Sequence, residues 1–287
     1  MRTGLLFQPR NQGAVEMVAH ATEKLESLGH IVWSQSSWQL TASTQDLQGT
    51  DLLISLGGDG TLLRAVRIGA PYGIPCLGVN FGNLGFLTEL EGPEFKADIE
   101  KFVSTGGWRE ERILLAWHHK RAGKELSSGL AVNDIVVARG SISRVINITV
   151  TIDDGNVVTY TADGIVVATP TGSTGYALAL NGPVMHPEAR TLAIVPISPF
   201  MTASNPLVTN SNSRIELTVA TQHEVGLTVD GQTHLEMLDG DQLICTASAL
   251  TAQFIRFRPQ NYFFPGFADK MRWPIPTNIL QSRRDLE

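Results

Sequence analysis

The fold of the first half of the chain follows from one stretch, Asp51-Leu52-Leu53-Ile54-Ser55-Leu56-Gly57-Gly58-Asp59-Gly60-Thr61. Its first six residues are nearly all apolar, which is typical of a parallel strand buried on both faces. A glycine-rich turn follows at once, and the apolar spacing after it predicts a helix over residues 61–68. A buried strand that passes through a glycine turn into a helix begins a β-α-β unit.

The flanking residues repeat this alternation of strands and helices. Short apolar runs predict strands at residues 4–7, 30–33 and 74–79, and helical spacing of apolar residues predicts a helix over 14–28. Gly29 stands where a glycine commonly ends a helix. The pattern predicts a doubly wound α/β domain over residues 1–112, which carries the glycine-rich turn and binds ligands at the carboxyl ends of its strands.

Strand patterns dominate from residue 108 onward. Apolar and β-branched runs predict strands at residues 113–117, 135–138, 145–152, 164–168, 214–220 and 253–257. Asp153-Asp154-Gly155-Asn156 predicts a hairpin turn, and the one clear helical stretch follows Ser173. We therefore expect a β-sandwich domain over residues 113–264. We also expect residues 265–287 to pack back on the first domain, with a polar, frayed tail after Pro276.

Composition limits the classes of partner. The chain has 287 residues, of which 22 are Lys or Arg and 28 are Asp or Glu, so its formal net charge is −6. Scattered basic residues in an acidic chain disfavour nucleic-acid binding, and no run approaches the ~18 apolar residues of a membrane helix. The distant cysteines Cys76 and Cys245 lie in apolar runs, which favours buried thiols over a disulfide. These features predict a soluble cytoplasmic protein with no nucleic-acid or membrane partner.

Asp59 is the candidate catalytic residue of the glycine-rich turn. The glycines allow backbone N–H groups to approach a phosphate, and the start of the helix adds partial positive charge. A carboxylate there repels phosphate, so it needs another task, either binding Mg²⁺ or accepting a proton from an attacking hydroxyl. The lysine of a Walker A loop and the spacing of a dinucleotide fingerprint are both missing. The alternative is that Asp59 only caps the helix.

Three further segments carry polar or aromatic candidates. The loop after the strand at 74–79 contains Phe86, which could stack on a base or belong to the core. Asn133-Asp134 could hold the two hydroxyls of a ribose or form a simple Asx turn. From Asp163 to Tyr176 a strand enters a loop dense in hydroxyl groups and glycines, which suits a nucleotide. The alternative is an ordinary Ser/Thr helix cap, but a cap needs one hydroxyl and this loop offers five, counting Tyr176. No His or Cys spacing predicts a metal site.

Together these segments resemble the NAD kinase family over about residues 50–270. The glycine-rich turn, Gly82-Asn83-Leu84-Gly85-Phe86-Leu87-Thr88-Glu89, Asn133-Asp134, the block from Asp163 to Tyr176 and Val229-Asp230-Gly231-Gln232 occur in the family's order. Diacylglycerol-type lipid kinases and phosphofructokinase-like enzymes share the first element, whereas the hydroxyl-rich block is more specific. The resemblance implies transfer of the γ-phosphate of ATP to the 2′-hydroxyl of the adenosine ribose of NAD, which gives NADP and ADP. It also implies Mg²⁺ or another divalent cation with ATP.

The resemblance also implies roles for individual residues. Asp59 would face the 2′-hydroxyl, and Asn133 and Asp134 would hold the ribose. Asp163 would reach the nicotinamide in a neighbouring subunit's site, so a homodimer or homotetramer is expected. The other positions implied to bind nucleotide are Gly60, Arg64, Arg144, Thr161, Gly175 and Gln232, with Phe86, Thr174 and Tyr176 on the adenine side. A surface charge is the alternative for Arg64 and Arg144.

The sequence departs from the family at three positions. Gly175 and Ala179 replace the common Ala and Ser, and Thr161 stands where some NAD-preferring relatives have Arg. Thr161 therefore leaves the choice between NAD and NADH open.

Two other functions are alternatives to NAD phosphorylation. A lipid kinase would need a membrane-docking surface, which is not evident. A dinucleotide sensor would have no need of Asp59.

Overall fold

The computed structural model describes residues 1–38, 44–82, 85–140, 144–201 and 204–273. Asn83, Leu84 and the predicted frayed tail after Pro276 lie outside the described residues. Residues Met1–Phe257 form one unit, and Arg258–Glu287 form a second, which is described to residue 273. The second unit contains a helix, Phe263–Lys270, in which Phe263 stacks on Phe267. The packing of residues 265–287 on the first domain stays a prediction.

The elements of the first unit are as follows. The α/β part contains β1 (Arg2–Phe7), α1 (Gln12–Ser27), β2 (Ile31–Ser36), α2 (Thr44–Leu47), β3 (Leu52–Gly57), α3 (Asp59–Gly69), β4 (Cys76–Asn80), β5 (Leu90–Glu91), α4 (Gly92–Ala97) and α5 (Ile99–Ser104). The β part contains β6 (Trp108–Arg121), β7 (Lys124–Ala131), β8 (Asp134–Arg139), β9 (Ile146–Ile152), β10 (Gly155–Ala162), β11 (Gly164–Ala168), α6 (Tyr176–Ala179), β12 (Thr191–Ile197), β13 (Leu207–Asn210), β14 (Ile215–Ala220), β15 (Val225–Val229), β16 (Thr233–Met237) and β17 (Gln242–Arg256). The helix of the second unit is α7.

A parallel sheet with helices on both faces confirms the predicted α/β class. The strands lie in the order β4-β3-β1-β2. Leu5 belongs to the core that contains Ala21 and Leu25 of α1, whereas its neighbour Leu6 belongs to the core that contains Leu62 of α3. Since successive side chains of a strand point to opposite faces, α1 and α3 cover opposite sides of the sheet.

The β part confirms the predicted sandwich. One layer runs in the order β10-β9-β14-β17, with β6 and β7 beside β17, and the other in the order β13-β12-β11-β8-β15-β16. Leu115, Ile148 and Leu217 of the first layer share a core with Val137 and Val167 of the second. Strand β17 also pairs with β4, so the first layer continues the parallel sheet of the α/β part. The boundary at residue 112 stays a prediction.

The structure agrees with two local predictions and differs in part from a third. Gly29 has a φ of 81°, as expected after a helix, and Asp153 and Asp154 both have positive φ in the turn between β9 and β10. The helical stretch predicted after Ser173 is present, but it is short and interrupted. The chain forms a 3-10 turn, Thr171–Thr174, and then only the single turn of α6. Gly175 separates the two because its ψ of −132° is far from helical.

Candidate active site

Asp59 lies at the junction of β3 and α3, the edge at which α/β sheets bind ligands. Its carboxylate does not cap α3, since it accepts N–H bonds from the loop after β4. Phe86 donates to Oδ2 at 2.7 Å, and Leu87 and Thr88 donate to Oδ1 at 3.1 and 3.2 Å. Three converging donors fix the orientation of a carboxylate at this edge of the sheet.

Gly85 allows the loop to approach this closely. A Cβ atom at Gly85 would overlap with Oδ1 of Asp59. Behind the loop, Arg256 donates from one guanidinium nitrogen to the carbonyl of Leu87 at 2.7 Å and pairs with Glu89 at 3.3 Å. Arg256 is almost completely buried. The loop that holds Asp59 is therefore anchored in the interior of the protein.

A second carboxylate, Glu110, supports that anchor. It accepts from Arg256 at 2.8 Å and from Arg112 at 2.8 and 3.0 Å, and all three residues are buried. Burial opposes ionisation of Glu110, but the guanidinium groups of Arg112 and Arg256 hold its pKa below its usual value. Two arginines and the carboxylates of Glu89 and Glu110 thus balance their charges behind the loop.

Arginine side chains project from the first turns of α3. Arg64 donates to the side-chain oxygen of Gln232 at 3.0 Å and to the carbonyl of Ser37 at 2.7 Å. Both acceptors are uncharged, and burial together with the nearby charge of Arg67 lowers the pKa of Arg64. Gln232 also donates to the carbonyl of Gly60 at 2.9 Å. These groups border a cavity of about 260 Å³. The guanidinium charge of Arg64 at its wall is bonded to two uncharged acceptors.

Asn133 directly precedes β8 and Asp134 is its first residue, and both line a second cavity of about 400 Å³. Tyr176 and Asp230 line the same cavity. The side-chain oxygen of Asn133 is buried without a hydrogen-bond partner. A Cβ atom at Gly175 would lie 3.5 Å from Asp134 Oδ2 and from the side-chain nitrogen of Asn133. The structure thus brings Asn133, Asp134, Gly175 and Tyr176 together.

The environment of Asp134 changes its protonation. Burial raises the pKa of Asp134 to about 7, and the nearby carboxylate of Asp230 contributes to the increase. Burial also raises the pKa of Asp230. A carboxyl group with a pKa near neutrality exchanges its proton easily under working conditions. Asp134 is therefore able to donate or to accept a hydrogen bond in this cavity.

The hydroxyl-rich loop contributes fewer ligand groups than the sequence suggests. The hydroxyl of Thr169 donates to the carbonyl of Val132 at 2.6 Å, and that of Ser173 donates to the carbonyl of Pro170 at 2.6 Å. Thr174 is half-buried and donates to the carbonyl of Thr171 at 3.3 Å. Most of these hydroxyls therefore hold the loop in shape, and Tyr176 is the exposed member.

Arg144, Thr161 and Asp163 lie elsewhere. Asp163 precedes β11, whose opposite end pairs Ala168 with Asp134. Ala168 lies five positions after Asp163 along the strand, which corresponds to roughly 16 Å. We call these three residues the remote trio. In a single chain, the structure does not bring the remote trio together with Asp59, Asn133 and Asp134.

The remote trio has its own partners. Asp163 accepts from the Arg139 guanidinium at 2.5 Å, and the hydroxyl of Thr161 donates to Asn147 at 2.7 Å. Arg144 is exposed and borders an open cavity of about 700 Å³ together with Asn147. The remote trio therefore forms an open polar surface on the β part of the unit.

Sequence reasoning assigned no role to Arg67, Asp230 or Arg139. Arg67 lies one helical turn after Arg64, and this spacing could have indicated it. Asp230 belongs to the motif Val229-Asp230-Gly231-Gln232, in which only Gln232 was predicted to bind nucleotide. Nothing in the sequence near Arg139 indicates that it pairs with Asp163, because the pairing depends on the register of β8 and β11.

Comparison with known proteins decides the family. The profile of the ATP-NAD kinase N-terminal domain matches residues 2–107, and that of the ATP-NAD kinase C-terminal domain matches residues 132–257. The chain belongs to the ATP-NAD kinase family. Members of this family catalyse ATP-dependent phosphorylation of NAD, so the chain is a kinase. The resemblance noted in the sequence is thereby confirmed.

Individual ATP-NAD kinase relatives agree over almost the whole chain. The NAD kinase of Dehalococcoides mccartyi is 39% identical over 272 residues, which cover 94% of this chain and 96% of the relative. That of Chloroflexus aggregans is 35% identical and covers 94% and 98%. Among solved structures, the Archaeoglobus fulgidus NAD kinase in complex with ATP has a TM-score of 0.76 at 26% identity, covering 95% and 99%. Yeast NADH kinase complexed with NADH has the same fold, with a TM-score of 0.84 at 23% identity, covering 95% and 88%.

The described residues show neither a metal-binding cluster nor a membrane-spanning helix. No group of three His, Cys, Asp or Glu side chains within them is arranged to hold a metal ion. No helix in that part of the chain is long and apolar enough to cross a membrane. Cys76 and Cys245 are both buried free thiols, as predicted.

Proposed function

We propose that Asp59 aligns the 2′-hydroxyl of the adenosine ribose of NAD for attack on the γ-phosphate of ATP, which gives NADP and ADP. The observation that supports this role is the set of three N–H bonds that hold the Asp59 carboxylate at the carboxyl edge of the sheet. Phosphoryl transfer has a loose transition state, so alignment contributes more than proton removal. Of the two oxygens, Oδ2 accepts the N–H bond from Phe86 and retains capacity for a hydroxyl.

The ribose would lie against Asn133 and Asp134. A cavity of about 400 Å³ is within the range of small-molecule sites, and its buried polar atoms need partners. The unpartnered oxygen of Asn133 would accept a hydrogen bond from one ribose hydroxyl, and Asp134 would bind the second. Tyr176, Thr174 and Phe86 would line the adenine side, where an exposed ring such as that of Tyr176 supplies a stacking surface.

The phosphates would approach α3. Arg64 carries a positive charge whose bonding partners are neutral, and Gly60 lies at the start of the helix. Anions are stabilised at a helix N-terminus by free N–H groups and by the helix dipole. Gln232 would hold Arg64 and Gly60 in register through its two side-chain atoms. Arg64, Gly60 and Gln232 therefore fit an ATP- and NAD-binding role.

A divalent cation such as Mg²⁺ fits this site only as a companion of ATP. The part of the chain that the structure describes offers no three-residue cluster that would bind a metal without phosphate. Mg²⁺ bound to nucleotide phosphates needs only one or two protein carboxylates. Asp59 is the carboxylate that would supply an oxygen, and the cation would neutralise phosphate charge.

The remote trio would act in the site of a second copy, as a homodimer or homotetramer. The separation of Asp163 from Asp134 within one chain supports this arrangement. Phe200 and Met201 lie beside it, since Phe200 donates its N–H to the carbonyl of Thr161, and they are 61% and 90% exposed. Exposed apolar side chains beside a polar surface are typical of association sites. We expect the oligomer to work in the cytoplasm, where the buried thiols Cys76 and Cys245 stay reduced.

The decisive experiment is formation of NADP. The purified protein is incubated with NAD, ATP and Mg²⁺, and NADP is measured with an NADP-specific dehydrogenase. We expect NADP and ADP in equal amounts. Tight binding of NAD without NADP formation would contradict the proposal and would favour a dinucleotide sensor.

A further inference from the structure

The turn between β15 and β16 has an unusual combination of geometry and burial. Asp230 and Gly231 have φ values of 49° and 64°, in the left-handed region that aspartate tolerates better than most residues. The carboxylate of Asp230 is fully buried. A buried carboxylate needs several donors to offset its lost hydration. The partners of Asp230 therefore indicate what the turn holds in place.

One set of partners is the backbone of the ribose-binding pair. Asp230 Oδ1 accepts the N–H groups of Val132, Asn133 and Asp134 at 3.1, 2.8 and 3.3 Å. In return, the N–H of Asp230 donates to the carbonyl of Asp134 at 3.0 Å. Three consecutive backbone donors thus converge on one carboxylate oxygen. This arrangement fixes the position from which the side chains of Asn133 and Asp134 enter the cavity.

The other set of partners belongs to α3. Asp230 Oδ2 pairs with Arg67 at 3.5 Å, and Arg67 donates a second bond to the side-chain oxygen of Gln232 at 3.0 Å. The same Gln232 binds Arg64 and the carbonyl of Gly60. The turn therefore contacts the helix that begins with Asp59 on one side and the Asn133-Asp134 backbone on the other.

We propose that Asp230 is a positioning residue that aligns the ribose-binding pair Asn133-Asp134 with Asp59 through Arg67 and Gln232. This inference rests on the proposed function. Asp230 itself does not touch the reacting atoms, because its carboxylate has no exposed surface. Its contribution is geometric, and a misplacement of about 1 Å in such an alignment can cost ~100-fold in rate.

The main test is Asp230→Asn. An amide offers one acceptor oxygen, and its NH₂ group would face backbone donors, so the pair would shift. We expect kcat to fall by at least about tenfold and KM for NAD to rise by a similar factor, while KM for ATP changes less than about threefold. Asp230→Glu keeps the negative charge and the ion pair with Arg67. We therefore expect a smaller rise in KM for NAD, about threefold, and a higher stability than that of Asp230→Asn.

Asp241→Asn is the matched control. Asp241 is also fully buried and accepts bonds from Leu238, His119 and Arg121, but its partners lie away from the cavity of Asn133. We expect Asp241→Asn to lower the melting temperature and to leave both KM values unchanged. If Asp230→Asn lowered stability alone, as the control does, the inference would be wrong.

Calorimetric titration with NAD in the absence of ATP separates this inference from the proposed function. We expect wild-type protein to bind NAD and Asp230→Glu to bind it more weakly. Failure of the wild-type protein to form NADP would contradict the proposed function. A wild-type protein that forms NADP, together with normal NAD affinity and kcat in both Asp230 variants, would contradict only the role of Asp230.

Discussion

Two regions of the molecule carry residues implied to bind nucleotide, and they are built differently. Around Asp59, Asn133 and Asp134, backbone N–H groups hold the Asp59 carboxylate, the Asp230 carboxylate holds the backbone of residues 132–134, and the buried Arg256 anchors the loop next to Asp59. The remote trio is accessible to solvent, and its contacts are single pairs such as the ion pair of Asp163 with Arg139. The first region is preorganised within one chain, whereas the second resembles a surface that needs a partner. Rigidity at the first lowers the cost of alignment during catalysis.

The comparison predicts its largest effect at Asp59. We expect Asp59→Asn to lower kcat by about 100-fold or more, with little change in NAD affinity, because the variant loses charge and acceptor capacity at the reacting hydroxyl. Steady-state kinetics of NADP formation would measure it. Asp98→Asn is the control, since Asp98 only caps α5 through the N–H of Lys101. Equal kinetics in the two variants would mean that Asp59 is also merely structural.

Asp134 should give a smaller effect in the same region. Removal of one partner of a buried polar pair costs about 1–3 kcal/mol. We therefore expect Asp134→Ala to raise KM for NAD by roughly tenfold, with KM for ATP much less affected. Equal increases for both substrates would indicate a folding defect at the start of β8 rather than lost ribose recognition.

The raised pKa of Asp134 predicts a pH dependence of stability. Burial, with the charge of Asp230, raises its pKa to about 7, whereas the unfolded chain has an ordinary aspartate pKa near ~4. The native state then binds more protons than the unfolded state between about pH 4 and 7, so this group makes the free energy of unfolding fall as pH rises. Denaturant titrations of wild type and Asp134→Asn across that range should show a shallower decrease in the variant. Parallel curves would contradict the raised pKa.

The smallest effect is expected in the remote trio. The oxidised nicotinamide ring is positively charged and the reduced ring is neutral, and Thr161 adds no opposing charge. Coulomb energies of about 1 kcal/mol at a partly exposed carboxylate such as Asp163 change affinity several-fold. We expect a preference for NAD with measurable use of NADH, and a narrower gap in Asp163→Asn. An unchanged ratio of kcat/KM for the two dinucleotides would remove Asp163 from the nicotinamide end.

The two regions also differ in how far the sequence predicts them. The strand, glycine turn and helix around Asp59 are contiguous, so periodicity locates them. The bonds from Asp230 to residues 132–134 connect residues nearly 100 positions apart, and their existence depends on the register of β15 against β8. A helical stretch after Ser173 was predicted, but its interruption at Gly175 was not. Local patterns predict elements, whereas contacts between distant segments depend on packing.

A mixed oligomer shows whether Asp59 acts within its own chain while Asp163 acts across copies. Subunits carrying Asp59→Asn are co-assembled with subunits carrying Asp163→Asn, and the ratio of kcat/KM for NAD and NADH is measured. Only sites with an intact Asp59 turn over, and these lie on the chains that carry Asp163→Asn. We expect the wild-type ratio from mixed oligomers that have been separated from Asp163→Asn homo-oligomers, because the partner supplies an intact Asp163. The ratio of the Asp163→Asn homo-oligomer would contradict it.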